Sequence, residues 1–394
     1  MADLPRPVRL LGWASLFTDA ATEMIYPVLP VYLARVLGAG ALSLGLIEGI
    51  ADGTNSLLRI VSGHLSDRWS RRKPIVIAGY LLSSISRPFI GVTTGWMQVL
   101  AIRAIDRTGK GIRGAPRDAM LAHFATATTR GRIFGFHRAM DHTGAIVGPL
   151  VATAFLFAWP GEYRTLFALT IIPGALAVGM LFRVPEPEMG SGTVSGSPDA
   201  APSPSAEPLS RRFWYLMAVL LVFSLGNSAD AFLLLRLSSA IGNDAYVPLL
   251  WAALHVVKAS LSTWGSALSD RAGRTSVLIA GWAVYALVYL GFAILESPPA
   301  LVACFLAYGI YFALTEGTEK ALVADLAPRA KRGTAFGVYN AAEGIGALLA
   351  SIVFGLLYDR LGHAVAFTTG AALAAAAAVM ILFLPADKTG WYTR

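Results

Sequence analysis

The chain has 394 residues, of which 55% are hydrophobic and only 14% charged, whereas ordinary soluble domains carry roughly a quarter charged residues. Together with a mean hydropathy of +0.59 this points away from a soluble domain and toward a polytopic membrane protein. The net charge of +8 does not by itself imply nucleic acid, because Lys and Arg gather in loops on one side of such proteins, and the lone Cys304 excludes an intrachain disulfide.

A spanning helix needs about 20 apolar residues, and breaks at charged or Gly/Pro-rich points predict twelve. Helix 1 is expected over 9–37, a segment read as retained rather than cleaved, with Asp19 and Glu23 one turn apart. Helix 2, at 42–65, carries Glu48, Asp52, Asn55 and Arg59 at spacings of four, three and four. Helix 3 (74–94) is nearly free of charge. Helix 4 (97–121) holds Arg103, Asp106, Lys110, Arg113 and Arg117 at steps that place all five on one stripe. Helix 5 (132–158) adds His137, Arg138 and Asp141, and helix 6 (163–183) is apolar.

A Pro/Ser/Gly/Ala-rich stretch follows, which cannot form a core and reads as a linker. The second series is expected at 213–240, 246–268, 276–296, 299–325, 334–358 and 364–384. It brings Asn227, Asp230 and Arg236 in helix 7, His255 and Lys258 in helix 8, Glu316, Glu319 and Lys320 in helix 10, and Tyr339, Asn340 and Glu343 in helix 11. The domain division is thus a first six-helix bundle at 1–183, a linker at 184–212, a second bundle at 213–385 and a tail at 386–394.

Internal repetition supports the halving. "LSDRWSR" from Leu65 recurs as "LSDRAGR" from Leu268, and "RGRIFGF" from Arg130 recurs as "RGTAFGV" from Arg332, at an offset close to 202 residues. Basic residues cluster in alternate loops, so the positive-inside rule puts both termini and the linker in the cytoplasm of a cell, expected to be bacterial, with the chain in its inner membrane.

Several motifs resemble the major facilitator superfamily. "GHLSDRWSRRK", Gly63 to Lys73, is similar to that superfamily's loop between helices 2 and 3, with Ser70 where glycine is usual; the second-half copy contains Asp270 and Arg271. Arg103-x-x-Asp106-x-x-Gly109-x-Gly111 resembles its helix 4 motif. Gly135, Gly144, Gly148 and Pro149 match the antiporter motif of helix 5, although Ala152 and Thr153 replace its final glycines. "YPVLP", Tyr26 to Pro30, is similar to the double-proline pattern of proton-coupled drug antiporters. The resemblance implies an all-α membrane protein with twelve transmembrane helices in two pseudo-symmetric six-helix bundles around a central cavity. It implies a conformational latch at Gly63, Asp67, Arg68, Arg71, Asp270 and Arg271.

Embedded charge costs roughly 2.5 to 3.5 kcal/mol at a helix centre, so these residues must line a wet cavity or pair. Asp19, Glu23 and Asp141 are the candidates for proton coupling. The candidate substrate cavity comprises Glu48, Asp52, Arg59, Arg103, Asp106, Lys110, Arg113, His137, Arg138, Asn227, Asp230, His255, Lys258, Glu316, Tyr339, Asn340 and Glu343. Trp264 and Tyr26 are further aromatic candidates. No enzyme motif is present: "DRTGKGIRG" lacks both the first Walker glycine and the Ser or Thr after Lys110. The expected function is proton-coupled export of a small organic or amphiphilic compound by alternating access, with uptake of an anionic solute as the alternative and metal-ion export a weaker third. The expected partners are substrate, protons and the lipid bilayer, with no nucleic acid, no cofactor, no bound metal, and a monomeric chain.

Overall fold

A computed structural model describes residues 4–68, 72–126, 129–186, 208–328 and 331–384, and among them every regular element is a helix. Twelve spanning units follow in chain order. The first six are α1 (Arg6–Ile25, resuming as Leu29–Val31 and a wide turn Tyr32–Val36), α2 (Ala41–Arg68), α3 (Lys73–Ser86, tightening over Arg87–Val92), α4 (Trp96–His123), α5 (Arg130–Ala158) and α6 (Tyr163–Leu169 and Ile171–Phe182). The second six are α7 (Arg211–Gly226 and Ala231–Ile241), α8 (Tyr246–Ala272), α9 (Arg274–Ile294), α10 (Pro298–Leu326), α11 (Arg332–Leu361) and α12 (His363–Met380 and Ile381–Phe383).

Eight of these are long and apolar enough to cross a membrane by length and composition. The others, α1, α2, α4 and α8, carry charged residues within their spans. In the first half α1 packs on α5 and α6, and α4 on α2 and α3; in the second, α10 packs on α8 and α9, and α12 on α7 and α9. The halves join through α2 against α11 and α5 against α8.

Two helices break at equivalent places. In α1 the break falls at Tyr26–Val28, where Pro27 lacks an N–H and Pro30 opens the next segment. In α7 it falls between Gly226 and Ala231, one 202-residue offset later. Backbone groups freed inside a bilayer must find internal partners, and here Tyr285 Oη donates to the Gly226 carbonyl at 2.9 Å while Tyr289 Oη lies 3.5 Å from the Ser228 carbonyl. These tyrosines belong to a buried aromatic core that also contains Trp282, Tyr308 and Tyr311, with Phe223 stacked on Trp282 at 4.8 Å between centroids.

The antiporter-type glycines have a local reason. A Cβ on Gly144 would sit 2.5 Å from the Leu16 carbonyl oxygen, and one on Gly148 would sit 2.4 Å from that of Ala20, so only glycine lets α5 lie this close to α1. Gly135, by contrast, faces open space.

Candidate functional site

Four charged residues of the first half, Glu48, Arg87, Arg103 and Asp106, form a buried network. Arg103 Nη2 donates to both oxygens of Glu48, at 2.8 and 2.9 Å, and its Nη1 lies 3.7 Å from Asp106 Oδ2. The other Asp106 oxygen accepts from Arg87 Nε at 2.9 Å, and Arg87 Nη1 reaches the Thr18 carbonyl and hydroxyl, each at 3.2 Å. Glu48, Arg87, Arg103 and Asp106 are at most 2% exposed. These two arginines and two acids balance in charge, although Arg87 Nη2 and Arg103 Nε have no hydrogen-bond partner among the described residues, and they join α1, α2, α3 and α4 into one block, since removing any member leaves a buried charge unpaired.

This geometry corrects several expectations. Helix 3 is not free of functional charge: Arg87 is the central tie between α3 and α4, and a lone arginine beside Pro88 gave no periodic pattern to reveal it. Arg113 does not share the cavity stripe; its Nη1 donates to Ser83 Oγ at 2.8 Å and its guanidinium lies 4.3 Å from the Tyr80 ring, both on α3. Glu48, Arg103, Asp106, His137 and Tyr339 are buried within the halves rather than presented to a cavity. For Arg103, Asp106 and their partner Glu48 the reason is steric: α4 is enclosed by α2 and α3, so its polar face is wider than the part that reaches water.

Asp141 lies at the α1–α5 seam, where it accepts a hydrogen bond from Ser15 Oγ and lies 3.4 Å from His137 Nδ1. Arg117 binds its neighbour Asp118 and reaches Ser15 Oγ at 3.4 Å. Arg59, Gly63, Asp67 and Arg68 lie on α2 where side chains are outside the described residues, and so does Arg71 beyond it. Asp270 and Arg271 are exposed at the end of α8, and Trp264 is 54% exposed.

What remains lines the space between the halves. Asp19 and Asp52 are half-buried and, among the described residues, make no hydrogen bond or ion pair. Lys110, exposed beside Asp19 and Glu23, likewise has none. Glu23 Oε2 accepts from Trp251 Nε1 of the other half at 2.7 Å, and Tyr26 packs on Trp251 with centroids 5.1 Å apart. His255 packs edge-on against the same indole. Asp230, at the α7 break beside Asn227, accepts from Tyr308 Oη at 2.8 Å. A second recess of about 300 Å³ is lined by Arg138, His142, Lys258, Phe312, Glu316 and Lys320. There Arg138 bridges the halves to Glu316 at 2.8 Å, and Lys258 Nζ sits 3.4 Å from the Phe312 centroid. Asn340 is exposed in an apolar groove between α2 and α11 that Ile50, Leu57 and Leu348 also line.

The end of the bundle opposite residues 186 and 208 is closed by contacts that the sequence reading missed. Asp244, just before α8, accepts from Arg35 Nη1 at 3.0 Å and from the Tyr163 hydroxyl, and Arg35 Nη2 also donates to the Ser238 carbonyl at 3.1 Å. Asp359 of α11 receives the backbone N–H groups of Ala41 and Leu42 at 2.7 and 2.8 Å, capping α2 from the other half. Gly45 and Gly355 let those two helices touch: a Cβ on Gly45 would lie 2.1 Å from the Ser351 carbonyl oxygen. At the other end Arg138, Glu316 and Lys320 are 59%, 41% and 52% exposed, so solvent reaches the Arg138–Glu316 bridge between the halves from that side. An aspartate at a helix end in a short loop is a legible sign of a cap, but its partner in the other half is not.

A two-half helical bundle, closed at one end over acids and amines that form no ion pair among the described residues, suits a membrane transporter, and comparison with known proteins agrees. The Major Facilitator Superfamily model matches residues 11–314 and 237–392. An uncharacterized MFS-type transporter of Methanocaldococcus jannaschii is 32% identical, the match covering 97% of this chain and 96% of that protein. An uncharacterized protein of Mycobacterium tuberculosis is 30% identical over 90% of this chain and 87% of its own length. Among solved structures, the nucleoside transporter NupG superposes with a TM-score of 0.78 at 14% identity, covering 96% of this chain and 98% of that one. The chain therefore belongs to the Major Facilitator Superfamily: it is a multi-pass membrane transporter and not an enzyme.

Proposed function

We propose that the protein is a proton-coupled exporter that exchanges a small organic or amphiphilic compound for protons by alternating access. The observation that carries this reading is the pair of cavity acids on α1. Asp19 has no bonded partner among the described residues, and Glu23 is held only by a neutral indole from the opposite half. A carboxylate without a fixed countercharge can take up and release a proton as its surroundings alternate between wet and closed. Because Glu23 reaches Trp251 across the halves, its protonation state is tied to their separation. Asp19 lies against the α5 glycines, with its Cβ 3.1 Å from where a Gly144 side chain would begin. Asp141, bonded to Ser15 and beside His137, is the third acid of this set and acts at the same seam.

The basic residues of the alternate loops favour an orientation with both termini in the cytoplasm, which makes the described state inward-open. Asp359 and Asp244 then hold the outer end shut. One observation favours a second reading, uptake of an anionic solute: Lys110 and Lys258 both face the interior without an acid bonded to them among the described residues.

The test is transport in liposomes with an imposed pH gradient, using one lipophilic cation, one organic anion and one neutral amphiphile as probes. Asp19→Asn and Glu23→Gln should each abolish the gradient-driven component while the protein still folds. Gradient-driven transport that survives in both variants would remove the α1 acids from the mechanism. Uptake of the anion alone, in the direction of the protons, would establish the second reading.

A further inference from the structure

The second half contains an acid cluster in which Tyr339 and Glu343, both among the candidate cavity residues, meet a further acid, Glu319, that is not. Tyr339 Oη of α11 lies 2.7 Å from Glu343 Oε1 and 3.3 Å from Glu319 Oε2 of α10, and Trp282 Nε1 of α9 donates to the other Glu319 oxygen at 3.3 Å. Glu319 is 7% exposed and Tyr339 2%. Among the described residues neither glutamate is in an ion pair. The charged groups nearest them are Lys320 and Glu316 of α10 itself, which face each other at 3.9 Å, and Glu316 is already taken by Arg138 of α5. Tyr311 of α10 is a further neighbour, neutral at ordinary pH. Lys258 of α8 is turned to the Phe312 ring, and no described charge of α2, α7 or α12 touches either acid.

A phenol has one hydrogen to donate. Two carboxylates aim at this one. The shorter contact has the Tyr339 hydroxyl donating to Glu343 Oε1, so Glu319 Oε2 completes its own contact with the Tyr339 oxygen only by carrying a hydrogen itself. Like charges sharing one desolvated site disfavour double ionisation on independent grounds.

The internal repeat sharpens the point. The 202-residue offset that relates Arg130 to Arg332 also sets Glu319 over Arg117, Tyr339 over His137, Glu343 over Asp141 and Trp282 over Tyr80. In the first half those positions hold a cation, an imidazole and one carboxylate, with Arg117 and Asp141 both bonded to Ser15. The first-half acid therefore has built-in positive charge nearby. In the second half the arginine position is a second glutamate, so the compensating charge has to come from outside.

We propose that Glu319, Glu343 and Tyr339 form a second proton-binding site, holding one proton between the two glutamates in the half of the molecule opposite the α1 acids. What that proton does in transport rests on the proton-coupled reading above; that the cluster binds it does not.

The experiment is infrared spectroscopy of the full-length protein in lipid nanodiscs, following the protonated-carboxyl band as pH is raised from neutral. The wild type should show a band that disappears on alkalinisation. Glu319→Gln should abolish it, Glu343→Gln, which frees the Tyr339 hydroxyl for Glu319, should move its titration to lower pH, and Asp19→Asn and Glu23→Gln should leave it in place. No titrating carboxyl band in the wild type, or an unchanged band in both Glu319→Gln and Glu343→Gln, would overturn the proposal. Should Glu319→Gln fail to fold, Glu343→Gln and Tyr339→Phe decide: a shifted titration supports the site and an unshifted one sinks it. Loss of coupling assigned to Asp19 and Glu23 would leave this band standing, so the two readings fail separately.

Discussion

Replacing Asp106 with asparagine should expose how much of the fold depends on the buried charge network. Asp106 and Arg87 are each 2% exposed at their side chains, and the bond between them is 2.9 Å long. In Asp106→Asn, Arg103 keeps both Glu48 oxygens at 2.8 and 2.9 Å, so Arg87 is the charge left without a counterion. Orphaning one member of a buried pair costs about 3–5 kcal/mol. The lower end, about 3 kcal/mol, is expected here because Arg87 retains two acceptors on Thr18 at 3.2 Å and the new amide still offers an oxygen. Removing both charges with apolar residues of similar bulk, Arg87→Met with Asp106→Leu, should cost less than Asp106→Asn alone, because a buried pair is often no more stabilising than good packing. The assay is a denaturant titration of purified protein in detergent micelles, run as a double-mutant cycle. A single-variant cost under about 1 kcal/mol, the range of an exposed pair, or strictly additive costs for the two positions, would refute the reasoning.

Other consequences follow from the same geometry. Gly148→Val should lower the unfolding temperature sharply and abolish transport, because its Cβ would meet the Ala20 carbonyl at 2.4 Å, whereas Gly135→Ala should be tolerated; equal effects at both positions, measured by thermal unfolding and transport, would count against a packing role. Asp359→Ala should loosen the closed end, since it removes two bonds to the N-terminus of α2, and spin labels at Gly38 and Asn243, both exposed, should report a larger population at long separation. An unchanged distance distribution would mean that helix packing alone holds this end. Lys110→Ala should weaken binding of anionic probes by about tenfold, one charge-assisted contact being worth roughly 1.5 kcal/mol or more, and leave neutral probes unaffected; equal losses would exclude charge recognition there.

The twelve-unit architecture was legible because length, hydropathy and the 202-residue repeat all report on the bilayer, which acts on every residue of a span alike. Tertiary partnerships were less so. The spacing of Arg103, Asp106, Lys110, Arg113 and Arg117 predicts one polar face, but which part of that face meets water depends on α2 and α3 covering it. Thus Lys110 stays open while Arg113 is drawn to Ser83 and Tyr80. Arg87 had no periodic companion on its helix, so its pairing with Asp106 was invisible until the helices were placed side by side. The Arg35–Asp244 and Ala41–Asp359 contacts join residues 209 and 318 positions apart, a separation over which local pattern carries no information. The Glu319 cluster lies between these cases: the repeat aligns it with Arg117, His137 and Asp141, yet only the position of the Tyr339 hydroxyl shows that two acids share one donor.

The central claim, exchange of solute for protons through the α1 acids, is tested most directly by loading liposomes with a pH-reporting dye and watching proton movement as a probe crosses the membrane. The wild type should move protons opposite to the probe, and Asp19→Asn combined with Glu23→Gln should move none. Probe transport with no proton movement in the wild type, or with protons travelling in the same direction, would contradict the account.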